Sequence, residues 1–244
     1  MRPREADERW AVPAWALRTP GVVPDDDELI QLGGELDPDL VLSAYRHGLF
    51  PMGVGRHGGP PMGWWSPNPR VVLLPGALHV SRSLRRSIRR FEVTIDRDFD
   101  GVMRGCADPR RSGRWITPAI RRCYAELHRR GHAHSIEVRR DGLLVGGLYG
   151  VVVGGLFAGE SMFHQVRDAS KVALAALADT ALPPGEPDRM VDVQWVTEHL
   201  ASLGIVPIDR TDYLHRLDRA VTLPEPSAFA MPDRRASVPP GSSA

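Results

Sequence analysis

Residues 159 to 171, GESMFHQVRDASK, bring together side chains of unlike chemistry. The carboxylate of Glu160 lies close to the apolar Met162 and Phe163, directly after a glycine-rich run and just before a helical pattern. The grouping raises the question of which ligand needs an acid beside two large apolar side chains. The alternative is ordinary core packing, with a solvated carboxylate at the end of a strand.

A run of arginines offers a second kind of chemistry. Although the net charge is only +1, residues 70 to 140 carry 17 arginines against 7 acidic residues. In SRSLRRSIRR, residues 81 to 90, Leu84 and Ile88 form one apolar stripe at helical spacing, which leaves the arginines facing solvent. Guanidinium groups bind phosphates through paired hydrogen bonds, so this face is a candidate phosphate-binding surface. Its candidate residues are Arg82, Arg85, Arg86 and Arg89.

The alternative is a solvated face in an arginine-biased protein, because Lys171 is the only lysine among 31 basic residues. Ammonium and guanidinium groups differ in shape and hydration. We therefore predict a local role for Lys171 near the start of its helix, where it would pair with a phosphate or an acid. Chance retention is the other explanation.

Composition narrows the class of protein. A hydrophobic content of 42% is typical of soluble globular domains, and no apolar run approaches the roughly 20 residues that a membrane helix needs. The charged start of the chain lacks the apolar stretch of a secretory signal, so we expect a cytoplasmic protein. Cys106 and Cys123 cannot form a disulfide framework and have no metal-binding spacing, so no metal site is predicted.

The chain divides into three predicted segments. A glycine-rich loop leads to WWSP at positions 64 to 67, which marks a junction between a small N-terminal domain, residues 1–66, and a larger domain, residues 67–222. The last segment, residues 223–244, is rich in Pro, Ala and Ser and is predicted to be disordered.

The elements of the larger domain alternate in type. Periodicity and turn residues predict helices over 81–90, 118–130, 169–182 and 196–203, and strands over 91–95, 134–139, 143–149, 151–163, 189–194 and 205–208. The predicted fold class is α/β (α+β), with a mostly antiparallel sheet. A meander followed by helix, strand, helix and strand is the order of the GCN5-related N-acetyltransferase fold, which is an analogy of fold alone.

Common catalytic and nucleotide-binding motifs are missing from the sequence. It has no phosphate-binding G-x-x-x-x-G-K, no dinucleotide-binding G-x-G-x-x-G and no G-x-S-x-G nucleophile turn. A coenzyme A acyltransferase would need a glycine-rich turn where this chain reads HQVRDAS at 164 to 170. The usual acyl-CoA donor is therefore disfavoured, while the acyl-transfer framework remains.

Several motifs together resemble one family, the leucyl/phenylalanyl-tRNA protein transferases, in order and spacing. The resemblance extends from about Leu32 to about Leu217. The motifs are LFP at 49 to 51, WWSPNPR at 64 to 70, WIT at 115 to 117, HAHSIE at 132 to 137, LVGGLYG at 144 to 150, GESMF at 159 to 163, ASK at 169 to 171, and DVQ at 192 to 194.

The resemblance implies a ribosome-independent peptidyl transfer. Leucine or phenylalanine, with methionine as a further candidate, would move from its tRNA to the N-terminal Arg or Lys of an acceptor protein and mark it for degradation by the N-end rule pathway. The partners would be the aminoacyl-tRNA and the acceptor protein, without a cofactor or a membrane.

The resemblance also implies roles for single residues. Leu148, Phe157, Met162 and Leu177 would line the pocket for the aminoacyl side chain, where burial of Leu or Phe stabilises by about 1.5–3 kcal/mol. Methionine suits such a pocket because its flexible side chain adapts to both shapes. Core packing is the alternative for these residues. The predicted contacts to the 3′ end of the tRNA are Glu160, Trp115 and Tyr45.

Asp192 and Gln194 are the predicted catalytic residues by the same resemblance. They lie two positions apart on a short strand, which predicts that they face the same side. An amine that attacks an ester must be neutral and must lose a proton, so a carboxylate and an amide beside it would help. The sequence leaves open whether the pair acts as a base or only positions the amine.

Three positions depart from the family pattern. Met52 and Arg139 stand where the family usually has Trp, and Val193 replaces a common cysteine. Met52 weakens any stacking on the nucleotide there, whereas Arg139 is expected to alter only the surface and Val193 to be harmless. Two other functions compete with the transferase: an acyl-CoA N-acyltransferase of the same fold, and an RNA-binding module without catalysis that uses the arginine face.

Overall fold

Two β-sheets organise the chain in the computed structural model, which describes residues 28–111, 113–195 and 202–229. The smaller sheet has three antiparallel strands in the order β1-β3-β2 and carries one helix. Helix α1 begins where Asp37 accepts hydrogen bonds from the backbone N–H groups of Asp39 and Leu40. The elements are β1 Leu29–Leu32, α1 Pro38–Arg46, β2 Phe50–Gly53 and β3 Met62–Trp65.

The larger sheet has seven strands in the order β10-β4-β9-β8-β7-β6-β5. Every neighbouring pair is antiparallel except β8 and β9, which are parallel. The strands are β4 Arg70–Leu73, β5 Glu92–Ile95, β6 Ala133–Arg140, β7 Leu143–Val153, β8 Leu156–His164, β9 Met190–Gln194 and β10 Val206–Ile208.

Helices cover both faces of this sheet and give two hydrophobic clusters. The first cluster contains buried residues of α1, α3, α4 and α6, and the second contains those of α2 and α5. Along β7, Tyr149 belongs to the first cluster and Leu148 to the second, as side-chain alternation requires. The helices are α2 Arg82–Ile88, α3 Phe99–Cys106, α4 Pro118–Arg129, α5 Ala169–Ala181 and α6 Arg210–Ala220.

The pairing of β8 with β9 is short. It covers only Leu156–Ala158 against Met190–Asp192, and beyond this point the two parallel strands no longer pair. β9 ends at Gln194, whose backbone has a φ of 61°, in the left-handed region that non-glycine residues rarely adopt. This separation opens the sheet between β8 and β9 and positions the candidate site.

The predicted fold class is confirmed, with a small N-terminal sheet and a main sheet that is mostly antiparallel. The helix at 118–130 begins as predicted, because Thr117 accepts a hydrogen bond from the N–H of Ile120 and Pro118 is the first helical residue. The predicted strands of the meander are present, but the second turn lies at Gly154 and Gly155 rather than at position 150. A side chain at Gly154 would meet the backbone of Ala220 and Val221. Most of the predicted helix at 196–203 lies outside the described residues.

The prediction that disorder begins at residue 223 is wrong for residues 223–229. Phe229 is buried, and its ring stacks on Phe157 with 5.5 Å between the ring centroids. Arg189 Nη2 donates to the carbonyl oxygen of Pro224 at 2.9 Å. The rest of the predicted tail, residues 230–244, lies outside the described part of the chain. Among the described helices, none combines the length and the apolar character needed to span a membrane.

Candidate active site

A cavity of about 370 Å³ lies where β8 and β9 separate. Its lining comes from both hydrophobic clusters, with Tyr149 from the first and Leu148 and Val191 from the second. The volume falls in the range of small-molecule sites, about 300–1,000 Å³. The lining residues are Arg111, Leu148, Tyr149, Gly159, Glu160, Ser161, Met162, His164, Ser170, Leu174, Leu177, Val191, Val193 and Gln194.

Glu160 lies in the wall of this cavity and is held by two tyrosines. Tyr45 Oη donates to Glu160 Oε1 at 2.5 Å, and Tyr124 Oη lies 2.9 Å from Oε2. Burial raises the pKa of Glu160 to about 7, against the contacts with both tyrosines, which lower it. Tyr45 therefore reaches the site through Glu160 and is not itself part of the cavity lining. Tyr124 was not predicted, because helix periodicity assigns it only to the core.

Asp192 is fully buried and surrounded by hydrogen-bond donors. Arg70 Nε donates to Asp192 Oδ1 at 2.9 Å and Arg70 Nη2 donates to Asp192 Oδ2 at 2.6 Å, which makes a bidentate ion pair. Tyr213 Oη donates to Oδ2 at 2.9 Å, and the backbone N–H of Gln194 donates to Oδ1 at 2.9 Å. A carboxylate has about four acceptor positions. All of them are occupied within the protein.

This arrangement corrects the prediction that Asp192 and Gln194 present their side chains to the site together. Gln194 lines the cavity and Asp192 does not. The reason is that the carboxylate of Asp192 is directed to Arg70 and Tyr213, while the positive φ of Gln194 ends the regular alternation of β9. Asp192 accepts a hydrogen bond from the backbone N–H of Gln194 and thereby supports the turn at the end of β9.

Arg70 connects the two sheets beneath the site. Its guanidinium lies between the rings of Phe50 and Tyr213, at 4.8 and 4.6 Å from their centroids, and Nη1 donates to the carbonyl oxygen of Gly48 at 3.1 Å. Burial is the largest single effect and opposes the charge, but Asp192, Tyr213 and Tyr45 together outweigh it and raise the pKa of Arg70. The sequence analysis predicted no separate role for Arg70, which is the last residue of the motif WWSPNPR.

Two buried polar atoms on the cavity wall have no hydrogen-bond partner among the described residues. They are Tyr149 Oη and Gln194 Nε2. Buried polar groups in native proteins are nearly always paired, so an unpaired group on a cavity wall points to a bound ligand. Tyr149 was not predicted as a site residue, although it lies within the quoted motif LVGGLYG.

Three of the four residues predicted for the aminoacyl pocket line the cavity, and their contact with an aminoacyl group stays a prediction. Leu148, Met162 and Leu177 line the cavity, together with the unpredicted Leu174. Phe157 does not line it, which corrects the prediction. Its side chain is buried against Phe229 in the second hydrophobic cluster.

Trp115 is half-buried, packs against the first hydrophobic cluster and is not part of the cavity lining. Its backbone lies against the glycine-rich loop, since a Cβ on Gly58 would come within 2.3 Å of the Trp115 carbonyl oxygen. Gly58 also has a φ of 75°, so glycine is required there for two reasons. The contact of Trp115 with a nucleotide stays a prediction.

The arginines of α2 are exposed, as the sequence predicted, while Leu84 is buried beneath them. Ser87 Oγ donates to Asp168 Oδ2 at 2.8 Å, which ties α2 to the start of α5. Ser170, in the first turn of α5, lines the cavity. The basic helix thus lies next to the helix that forms one wall of the site.

Family models match two adjoining stretches of the chain. The leucyl/phenylalanyl-tRNA protein transferase N-terminal domain matches residues 34–68, and the leucyl/phenylalanyl-tRNA protein transferase model matches residues 72–218. The chain belongs to the leucyl/phenylalanyl-tRNA protein transferase family. The resemblance found in the sequence motifs is thereby confirmed.

Relatives of this family cover most of the chain. A leucyl/phenylalanyl-tRNA–protein transferase of Azotobacter vinelandii is 49% identical over 78% of this chain and 85% of its own length. One of Chromohalobacter salexigens is 47% identical over 94% of this chain and 88% of its own length. A GCN5-related N-acetyltransferase from Kribbella flavida matches in structure with a TM-score of 0.36 and 12% identity, over 70% of this chain and 60% of that one.

Membership of the leucyl/phenylalanyl-tRNA protein transferase family makes this chain an aminoacyltransferase, as predicted. Its cavity combines an apolar wall with Glu160 and with the free donors of Tyr149 and Gln194. An aminoacyl ester has an apolar side chain beside polar ester and ribose oxygens, so such a lining complements it.

Proposed function

We propose that this transferase moves leucine or phenylalanine from aminoacyl-tRNA to the N-terminal Arg or Lys of acceptor proteins in the cytoplasm. The product would then enter the N-end rule pathway of degradation. One observation carries the proposal: an apolar cavity on whose wall two buried polar atoms, Tyr149 Oη and Gln194 Nε2, lack partners among the described residues.

The donor's side chain would lie between β8 and α5, against Leu148, Met162 and Leu177, which are all cavity-lining residues. Met162 is half-buried and unbranched, so it adapts to a branched or an aromatic ligand. Glu160 and the free donors of Tyr149 and Gln194 line the same cavity and would form hydrogen bonds with the ribose and the ester of the donor. Tyr45 would support Glu160 from behind, through its hydrogen bond of 2.5 Å.

The reaction in this site would be aminolysis of an ester. The neutral α-amine of the acceptor attacks the carbonyl carbon, a C–N bond forms and the C–O bond to the ribose breaks. The amine loses one proton and the leaving hydroxyl of the tRNA gains one, so the step is balanced without a cofactor. Positioning of amine and ester is the main help that a protein can give to such a reaction.

Gln194 is the group that would orient the ester, through an oxygen that accepts from its amide. Its amide lines the cavity, and Nε2 is free to donate. Asp192 would act through Gln194, since its own acceptor positions are taken by Arg70, Tyr213 and the N–H of Gln194. In this proposal Asp192 is a positioning residue and not the base.

The acceptor part of the proposal is tested with a panel of short peptides that differ only at the N-terminal residue. With leucyl-tRNA as donor, peptides that begin with Arg or Lys should gain leucine, and those that begin with Ala or Glu should not. Mass spectrometry of the products locates the added residue. Equal transfer to all four peptides would refute the proposed acceptor specificity while leaving the donor unaffected.

The exposed arginines of α2 are expected to bind tRNA phosphates. The double variant Arg85→Gln and Arg86→Gln should weaken binding of uncharged and charged tRNA alike, because phosphate contacts do not depend on the aminoacyl group. The slope of log affinity against log salt should fall by about 0.7–0.9 for each lost contact. Filter binding at several salt concentrations measures both effects.

The matched control is Arg216→Gln with Arg219→Gln on α6, which removes the same charge elsewhere. Arg219 pairs with Asp188, and Arg216 donates to the backbone of Pro187. If both double variants lower the salt slope equally, the arginines of α2 contribute only through net charge and the proposed phosphate-binding face is wrong.

Leu177 is expected to set the size of the aminoacyl pocket. Leu177→Ala enlarges the cavity beside α5, so the kcat/KM of phenylalanine transfer should rise about tenfold relative to that of leucine. Leu182→Ala is the control, because Leu182 is buried in the same hydrophobic cluster but does not line the cavity. An identical donor preference in wild type and Leu177→Ala would place the aminoacyl side chain elsewhere.

A further inference from the structure

Glu160, Tyr45 and Tyr124 form a closed triangle of short polar contacts. Tyr45 Oη lies 2.5 Å from Glu160 Oε1, Tyr124 Oη lies 2.9 Å from Glu160 Oε2, and the two hydroxyl oxygens are 2.6 Å apart. All three separations are within hydrogen-bonding distance for O–H···O contacts. The triangle therefore has three hydrogen bonds to satisfy.

Three hydrogen bonds in the triangle require three protons. Each hydrogen bond needs one proton between its two oxygens, and each tyrosine supplies one. An ionised Glu160 supplies none, so one of the three contacts would join two oxygens without a hydrogen. A protonated Glu160 supplies the third: Tyr45 donates to Glu160, Glu160 donates to Tyr124, and Tyr124 donates to Tyr45.

The surroundings favour the same protonation state. Burial, with the negative charge of Glu160, raises the pKa of Tyr45, Tyr124 and the neighbouring Tyr149, so the phenols keep their protons. Burial also raises the pKa of Glu160 to about 7, and the charge of Asp192 adds to this while that of Arg70 opposes it.

Two further ionisable groups affect the pKa of the neighbouring Tyr149. They are Cys106 on α3, whose pKa is raised to about 12 mainly by burial, and Arg111 in the loop that follows α3. Arg111 is exposed and donates to the carbonyl oxygens of Cys106 and Met162. Arg70 opposes the raised pKa of Glu160, but its charge is already paired with Asp192 at 2.6 Å.

We propose that Glu160 holds a proton in the ligand-free protein at mildly acidic pH and meets the terminal nucleoside of the donor as a neutral acid. The contact with the nucleoside rests on the proposed function, whereas the protonation does not. A neutral group suits this place because the donor is a polyanion, which a buried carboxylate would repel. The tyrosine pair then keeps the acid protonated and fixes its orientation.

Infrared spectroscopy tests the protonation directly. The difference spectrum of wild type minus Glu160→Gln should show a protonated carboxyl C=O band at pH 6, which disappears with a midpoint near pH 7. The same subtraction with Glu137→Gln is the control, because Glu137 is also buried and its pKa is raised mainly by burial, but it is not a cavity-lining residue. Tyr45→Phe, which removes the hydrogen bonds of the Tyr45 hydroxyl with Glu160 and with Tyr124, should shift the Glu160 band in frequency and serves if Glu160→Gln does not fold.

The absence of the Glu160 band at every pH above 5 would overturn the proposal. The binding arm uses a non-hydrolysable phenylalanyl-adenosine amide as probe. Glu160→Gln, a neutral isostere, should bind it within about threefold of wild type at pH 6.5 and should lose the pH dependence of wild type around pH 7. A tenfold or larger loss would mean that the carboxylate binds. If wild type fails to bind while the infrared band is present, the proposed function fails and the protonation stands.

Discussion

Gln194→Ala is expected to lower kcat/KM for leucine transfer by about 10²-fold, the size of effect seen when one preorganised donor is removed from an active site. The side chain is buried, lines the cavity and has a free Nε2. The amide therefore contributes little to folding and is available to the reacting groups. Initial rates of transfer from leucyl-tRNA to a peptide that begins with Arg measure the effect.

Stability and tRNA affinity of Gln194→Ala should stay close to those of wild type, because the backbone N–H that Asp192 accepts is retained. Gln165→Ala, at an exposed position just after β8, is the matched control and should transfer normally. A Gln194→Ala enzyme that transfers as fast as the Gln165→Ala control would remove Gln194 from the reaction.

Asp192→Ala is expected to lower the free energy of unfolding by about 3–5 kcal/mol, since it leaves the guanidinium of Arg70 buried without a counter-charge. Both side chains are almost wholly inaccessible to solvent, at 1% for Arg70 and 0% for Asp192. Tyr213 would lose its acceptor as well. Urea unfolding, read by tryptophan fluorescence, measures the change.

A surface ion pair gives the control for this loss. Asp188→Ala removes the partner of Arg219, where both side chains are well exposed, and should cost less than about 1 kcal/mol. The double variant Arg70→Met with Asp192→Leu should recover part of the stability lost in Asp192→Ala, because no unpaired charge then remains. If Asp192→Ala kept wild-type stability and lost only transfer, Asp192 would be the base after all.

Local signals in the sequence predicted much of the fold. The helix at 118–130 has its cap and its proline in adjacent residues, and the hairpin at 141–142 has an Asp-Gly turn, so neighbouring residues carry the information. The second turn of the meander was misplaced because glycines occur at 150, 154 and 155, and alternation alone does not choose between them.

Contacts between distant parts of the chain were harder to predict. The partners of Asp192 come from β4 and from α6, and those of Glu160 come from α1 and α4. Nothing in the local pattern of Tyr213 or Tyr124 separates a core tyrosine from one that holds a carboxylate.

The cavity itself depends on where β8 and β9 cease to pair. Leu174 and Leu177 line the site, whereas Phe157 packs in the core. Side-chain alternation tells which residues share a face of a strand, but it does not tell where two strands separate. The family resemblance therefore located the segments of the site better than it located each side chain.

A comparison of two donors with the wild-type protein separates aminoacyl transfer from acetyl transfer. Radiolabelled leucyl-tRNA and radiolabelled acetyl-CoA are each offered with a peptide that begins with Arg, and the labelled peptide is counted. We predict label from leucyl-tRNA alone, attached to the N-terminal amine. Label from acetyl-CoA, or none from leucyl-tRNA while tRNA still binds, would contradict the assignment of the cavity to the aminoacyl group.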